Sequence, residues 1–296
     1  MLTSLFLAAA LTQTSPDPLA LPIGRSGTSV VQPMQIKDMA KDRMASINDI
    51  VIAARDTRFV FLGESHTNPQ HHKFQAQVIE ALARSGRPVI VGFEMFQRPM
   101  QSALNPWTMG MWSEEQFIKE SDWKHQWGYE FALYRPIFEV TKQFRIPMVA
   151  LNIPRDWVRT VGKSGFSALD ETQRNELPTP LGTFNPVHRK VFNAMIGNSH
   201  PMTGASMDNM YSGQVLWDEA MADSALKYLT AHPQGSNAVF VVIAGSGHVM
   251  YGQGINWRIF KRTGEKGITV VMVDGEKPVS VSRGIGDFVF CGGTEK

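Results

Sequence analysis

Four short runs, Arg58–Leu62, Pro88–Phe93, Pro147–Leu151 and Ala238–Ala244, are apolar along almost their whole length and rich in β-branched or aromatic residues. A strand with one face in water alternates apolar and polar side chains, so runs without alternation belong to strands covered on both faces. Helix-spaced apolar residues fill the intervals, at His71–Arg84, Leu133–Phe144, Val187–Ile196 and Gln214–Leu229. Two further strands, Gly267–Val273 and Asp287–Phe290, are expected near the end of the chain. The expected fold class is therefore α/β, a mostly parallel sheet flanked by helices.

Around this rhythm, residues 36–296 read as a single domain. Met39, Met44, Ile47, Ile50 and Val51 are spaced for a helix over Ile36–Arg55. Residues 162–213 break the alternation, are rich in Asn, Pro, Met and Gly, and read as a helical insertion over the C-terminal edge of the strands. Residues 17–35, rich in Pro, Ser, Thr and Gly, read as a linker or mobile arm. Residues 1–16 carry an apolar run, Leu2–Leu11, with small residues and a polar end. That pattern reads as a signal peptide and implies export to the periplasm or the outside of the cell. The run is too short to span a bilayer, and no other segment reaches transmembrane length.

Composition removes several function classes. With 19% charged residues and a net charge of +2, the chain has no electrostatic footprint for nucleic acid. The single cysteine, Cys291, excludes an intrachain disulfide and any multi-cysteine metal cluster, and its place near a strand end reads as a buried thiol.

The chemistry-bearing residues follow the strands. The first run leads into Gly63-Glu64-Ser65-His66, the second ends in Phe93-Glu94, the third in Leu151-Asn152 with Arg155 beyond it, and the fourth leads into Gly245-Ser246-Gly247-His248. In an open parallel sheet the carboxyl ends of the strands line one crevice. Glu64, His66, Glu94, Asn152, Arg155 and His248 are therefore expected to converge. A carboxylate ending a run as apolar as that before Glu94 has to be paired or coordinated, because an isolated buried charge is too costly. Two imidazoles with one or two carboxylates can form a divalent-metal shell, His66, Glu94 and His248. The same residues can activate water without a metal, as a catalytic set of His66, Glu94, His248 and Glu64. Ser65 and Ser246 lack the spacing of a nucleophile elbow. Of the adjacent pair His71-His72, the first reads as an exposed helix start.

At these residues the sequence resembles the ChaN-like, haem-uptake branch of the Tiki superfamily. The resemblance runs through FLGESHTNPQHHKFQ, VIVGFEMFQR, YRPIFE and IPMVALNIPR, QVLWDEAMADS and AGSGHVMYGQGI, across Asp56 to Ile259. For its haem-binding members the resemblance implies a homodimer that holds haem through a tyrosine. Tyr211 is the candidate here, with Met210, Met202, Met207 and His200 as a polarizable wall, and Asn152 and Arg155 beside the ligand. For metalloprotease and erythromycin-esterase-like relatives it implies a metal or active site at His66, Glu94 and His248. The chain departs from lipoprotein members in having no cysteine after the apolar run. Two functions stay open: haem binding in iron uptake, and a peptidase or esterase dependent on metal or on His and Glu.

Overall fold

A computed structural model of the chain describes residues 16–182, 184–197, 204–232 and 237–293. Three short strands come first, β1 (Thr28–Val31), β2 (Ile36–Asp38) and β3 (Arg43–Ala45), followed by helix α1 (Ile47–Ala53). Next come β4 (Phe59–Glu64), α2 (Pro69–Arg84) and β5 (Val89–Gln97). Helices α3 (Gln101–Thr108), α4 (Glu114–Glu120), α5 (Trp123–Gln126) and α6 (Phe131–Gln143) lead to β6 (Met148–Asn152). Then follow α7 (Arg155–Ser164), α8 (Glu171–Asn175), α9 (Pro186–Ile196) and α10 (Ala205–Ala231). The rest is β7 (Val239–Gly245), α11 (Ile255–Thr263), β8 (Ile268–Asp274), β9 (Val279–Ser282) and β10 (Phe288–Gly292).

The apolar runs form the middle of an eight-stranded sheet of order β3-β2-β10-β8-β4-β7-β5-β6. From β10 to β6 every pairing is parallel, and only β2, paired with β10 and with the edge strand β3, runs antiparallel to its neighbours. The missing alternation now has its cause. Val60, Leu62, Val91, Phe93, Val241 and Ile243 pack beneath α2 and α6, whereas Phe59, Phe61, Ile90, Phe240 and Val242 pack beneath α10 and α11. Each such side chain contributes about 1.5–3 kcal/mol by leaving water. Both helical layers are thus held by the same strands.

Three expectations change. Only Ile47–Ala53 of the expected helix over Ile36–Arg55 is helical. Ser46 and Asp49 form a reciprocal capping box that starts α1, while upstream a turn at Asp42, with φ of 52°, folds β3 back on β2. Residues 17–35 are no free arm, because β1 pairs antiparallel with β9 and Leu21 and Val31 are buried. Two well-placed apolar residues outweigh a turn-prone composition. The insertion expected over 162–213 has no break at its end, since α10 runs continuously through it.

Candidate functional site

The ends of β4, β7 and β5 are neighbours in the sheet, with Glu64 level with Gly245 in the register. On its β6 side, β5 carries a bulge between Phe93 and Gln97, and Glu94 sits within it. A bulge re-aims the side chains it holds, which brings Glu94 toward the rim.

Glu64 is the first hub. Its side chain is fully buried; His66 Nδ1 lies 2.7 Å from Oε1, His72 Nε2 lies 2.9 Å from Oε2, and Tyr134 donates to Oε1 at 3.2 Å. Burial alone would raise the carboxyl's pKa, but the hydrogen bonds from His66 and His72 hold it at about 2. Glu64 therefore fixes the His66 ring with Nδ1–H inward. Trp127 meets that ring edge-on at 4.7 Å, and Tyr129 flanks it at 5.6 Å. Burial works to lower the His66 pKa, and the bond to Glu64 raises it above the ordinary imidazole value.

His248 is held from both sides. Its Nδ1 lies 2.5 Å from Asp218 Oδ1 and its Nε2 lies 3.3 Å from Glu94 Oε1. Burial opposes the charged ring, yet the two carboxylates push its pKa up to about 10, so it is an imidazolium at neutral pH. Glu94 also accepts from the Gly245 amide at 2.7 Å, and against the effect of burial the positive charge on His248 lowers its pKa. Behind His248, Asp218 Oδ2 meets His188 Nε2 at 3.1 Å and Arg258 at 3.3 Å. His188 Nδ1 in turn lies 3.1 Å from the Tyr211 hydroxyl, which donates to the Asn185 carbonyl. One chain of ion pairs and hydrogen bonds thus runs from Glu94 to Tyr211.

Between these hubs opens a cleft of about 550 Å³, lined by Glu64, Ser65, His66, Gln214, the Gly245–His248 turn, Leu19, Met195, Met250, Met272 and Val273 among others. Gly245 faces His66 so closely that a Cβ there would lie 2.9 Å from Cε1. Gly245→Ala is expected to displace the ring and lower stability by about 1–3 kcal/mol, as overpacking does, measurable by urea unfolding.

Glu64, His66, Glu94 and His248 converge as expected. They do not form the expected metal shell: among the described residues no group of three His, Cys, Asp or Glu side chains is placed to hold a metal ion. The reason is prior commitment, since both ring nitrogens of His248 face carboxylates and His66 Nδ1 serves Glu64. Asn152 lies just behind, where its amide donates to the Glu94 carbonyl, and Arg155 ties down the 125–126 backbone next to Trp127. Tyr211 does not line the cleft; its hydroxyl is spent on His188 and Asn185. Met210 packs with Phe192, Tyr211 and Val215. His200 and Met202 lie outside the described residues. His71 is buried, not an exposed helix start: its Nδ1 accepts from the Ser65 amide and its Nε2 reaches the Val273 carbonyl. Asp218, His188 and Tyr134 were not anticipated. A carboxylate pair inside the apolar stretch QVLWDEAMA was the one signal for Asp218.

Fold and site together define an α/β protein that gathers carboxylate-held histidines on the C-terminal rim of a parallel sheet. The chain belongs to the family described as haem-binding uptake, Tiki superfamily, ChaN, whose model matches residues 50–259. Its fold is similar to that of ChaN of Campylobacter jejuni, solved with cofacially bound haem, at a TM-score of 0.67 and 19% identity over 86% of this chain and 95% of that one. A mutant of the erythromycin esterase EreC in its open conformation is more distant, with a TM-score of 0.48 and 11% identity over 87% of this chain and 83% of the esterase. Protein RETICULATA-RELATED 5, chloroplastic, of Arabidopsis thaliana is 24% identical over 255 residues, 79% of this chain. The chain spans about a third of that protein's length.

Proposed function

We propose that this protein binds haem in the cleft above β4 and β7, as part of haem or iron uptake, with His66 Nε2 as the iron ligand. The observation that carries the reading is the state of His66: one nitrogen is fixed by a buried carboxylate, and the side chain keeps 31% of its surface open at the cleft. A carboxylate behind an imidazole fixes its orientation and raises its basicity as a ligand, and histidine is an ordinary axial ligand of haem iron. The rest of the cleft fits a flat apolar group, because Leu19, Met195, Met250, Met272 and Val273 form much of its wall. Bound haem would supply an iron centre for storage, transfer or redox chemistry. The family membership and the haem-bound relative support the same choice. A homodimer closing the open side, and export through the apolar run Leu2–Leu11, belong to this proposal.

Titrating the purified protein with hemin tests it. A saturable Soret shift is expected in the wild type and in Tyr211→Phe, and a weakened, spectrally altered one in His66→Ala. A wild type without saturable uptake contradicts the reading.

One observation favours a second reading, hydrolysis of an ester or peptide bond without a metal. A carboxylate-backed imidazole such as Glu64–His66 can serve as a general base toward water, with the His248 cation close by. A panel of ester and peptide substrates checks it, and turnover that is indifferent to His66→Ala counts against it.

A further inference from the structure

The N-terminal segment does more than pack against the domain. Pro18 and Leu19 line the same cleft as His66 and His248. They are held there mainly by one side chain, Tyr251, just beyond the Gly245–His248 turn. The Tyr251 hydroxyl donates to the Pro18 carbonyl at 2.9 Å and accepts from the Leu21 amide at 3.0 Å. The Ser282 amide adds a bond to the Leu19 carbonyl at 2.7 Å. Leu21 and Tyr251 are both buried in one small apolar cluster with Met250, which also faces the cleft.

Two backbone features mark this docking as built in. Tyr251 has a φ of 58°, a left-handed conformation that a bulky residue adopts only where its surroundings hold it. Farther along, the segment crosses Gly284 so closely that a Cβ there would stand 1.7 Å from the Ile23 carbonyl oxygen. Only a glycine lets the segment lie flat at that point.

We infer that Pro18–Leu21 is a strap forming one wall of the ligand site, and that Tyr251 is the positioning residue that latches it. The strap is tied by this hydroxyl and by the Ser282 amide of β9, and its leucines pack in the cluster of Val271, Val273, Val289 and Cys291 on β8 and β10; none of these groups holds Glu64 or His66, so it is the wall that can yield without disturbing them. A flat apolar ligand then enters or leaves beside Leu19, and the latch sets how long it stays. This inference rests on the haem reading for the identity of the ligand, though not for the existence of the wall.

The experiment separates the two in full-length protein. Tyr251→Phe keeps the ring and removes both hydroxyl bonds; at about 1 kcal/mol for each, and about 1.4 kcal/mol per factor of ten, the undocked strap should become roughly thirtyfold more populated. Hemin dissociation, followed by transfer to a large excess of apomyoglobin, should accelerate by a similar factor while the Soret maximum stays unchanged. Leu19→Asp should weaken hemin uptake with the latch intact. Independently of hemin, an environment-sensitive dye on Met195→Cys should shift to the red when Tyr251→Phe is added. A dye that does not respond overturns the strap, and so does an unchanged dissociation rate in a protein that does bind hemin. A wild type that takes up no hemin, with a dye that does respond, overturns the haem reading and leaves the strap standing.

Discussion

Asp218→Ala is expected to lower the unfolding free energy by about 3–5 kcal/mol, the range found when one partner of a buried ion pair is removed. Asp218 is fully buried; it is the shared counter-charge of His248 and Arg258, and its Oδ2 also lies 3.1 Å from His188 Nε2. Its own pKa is held low because the positive charges of Arg258 and His248 outweigh the effect of burial. Without it, the carboxylate left to Arg258 is Glu219 at 3.2 Å, beside the Gly254 carbonyl at 3.0 Å, and the carboxylate left to His248 is Glu94 at 3.3 Å, beside the Gln214 amide at 2.9 Å. Urea unfolding measures the loss. A change below about 1 kcal/mol would mean that the cations are satisfied elsewhere.

The second large effect is on the pH dependence of stability. The folded pKa of His248, about 10, stands above its ordinary value of 6.5. A group raised in this way stabilises the fold fully below its unfolded pKa, and the contribution fades as pH rises toward the folded pKa. Stability should therefore fall between pH 6.5 and about 10, by an amount on the order of several kcal/mol. Glu64 acts in the opposite direction, with a folded pKa of about 2 against an ordinary 4.5. Its contribution is present above pH 4.5 and is lost as pH falls toward 2. A plateau between the two windows follows. Urea midpoints recorded across this range check it, and His248→Gln should flatten the alkaline arm. Since His248 and Asp218 share one interaction, their substitutions should not add.

Much of this was legible in the sequence, and for a physical reason. Strands covered on both faces write continuous apolar runs, so β4 to β8 could be placed to within a few residues. Because parallel strands end on one rim, the convergence of Glu64, His66, Glu94 and His248 could be inferred without coordinates. The states of those residues could not. Whether His248 is a metal ligand or a cation depends on Asp218, which reaches it from a helix buried at every position from Asp218 to Ala225, so no one-sided pattern marks the residue out. The docking of Pro18–Leu21 was equally hidden, because it depends on a hydroxyl more than 200 residues away. What Tyr211 does was hidden at a shorter range, since its partner His188, 23 residues earlier, is brought to it by the fold and not by helical spacing.

The central claim is that the two imidazoles of the cleft differ: His248 is a clamped cation, and only His66 offers a nitrogen to a ligand. Ring-nitrogen magnetic resonance of histidine-labelled protein at pH 8, with and without diamagnetic gallium protoporphyrin, reads both states at once. The account predicts one histidine protonated on both nitrogens and unmoved by the porphyrin, absent in His248→Gln, and a second whose Nε2 resonance shifts on addition, absent in His66→Ala. A neutral His248, or a porphyrin that binds while leaving His66 unmoved, would contradict it.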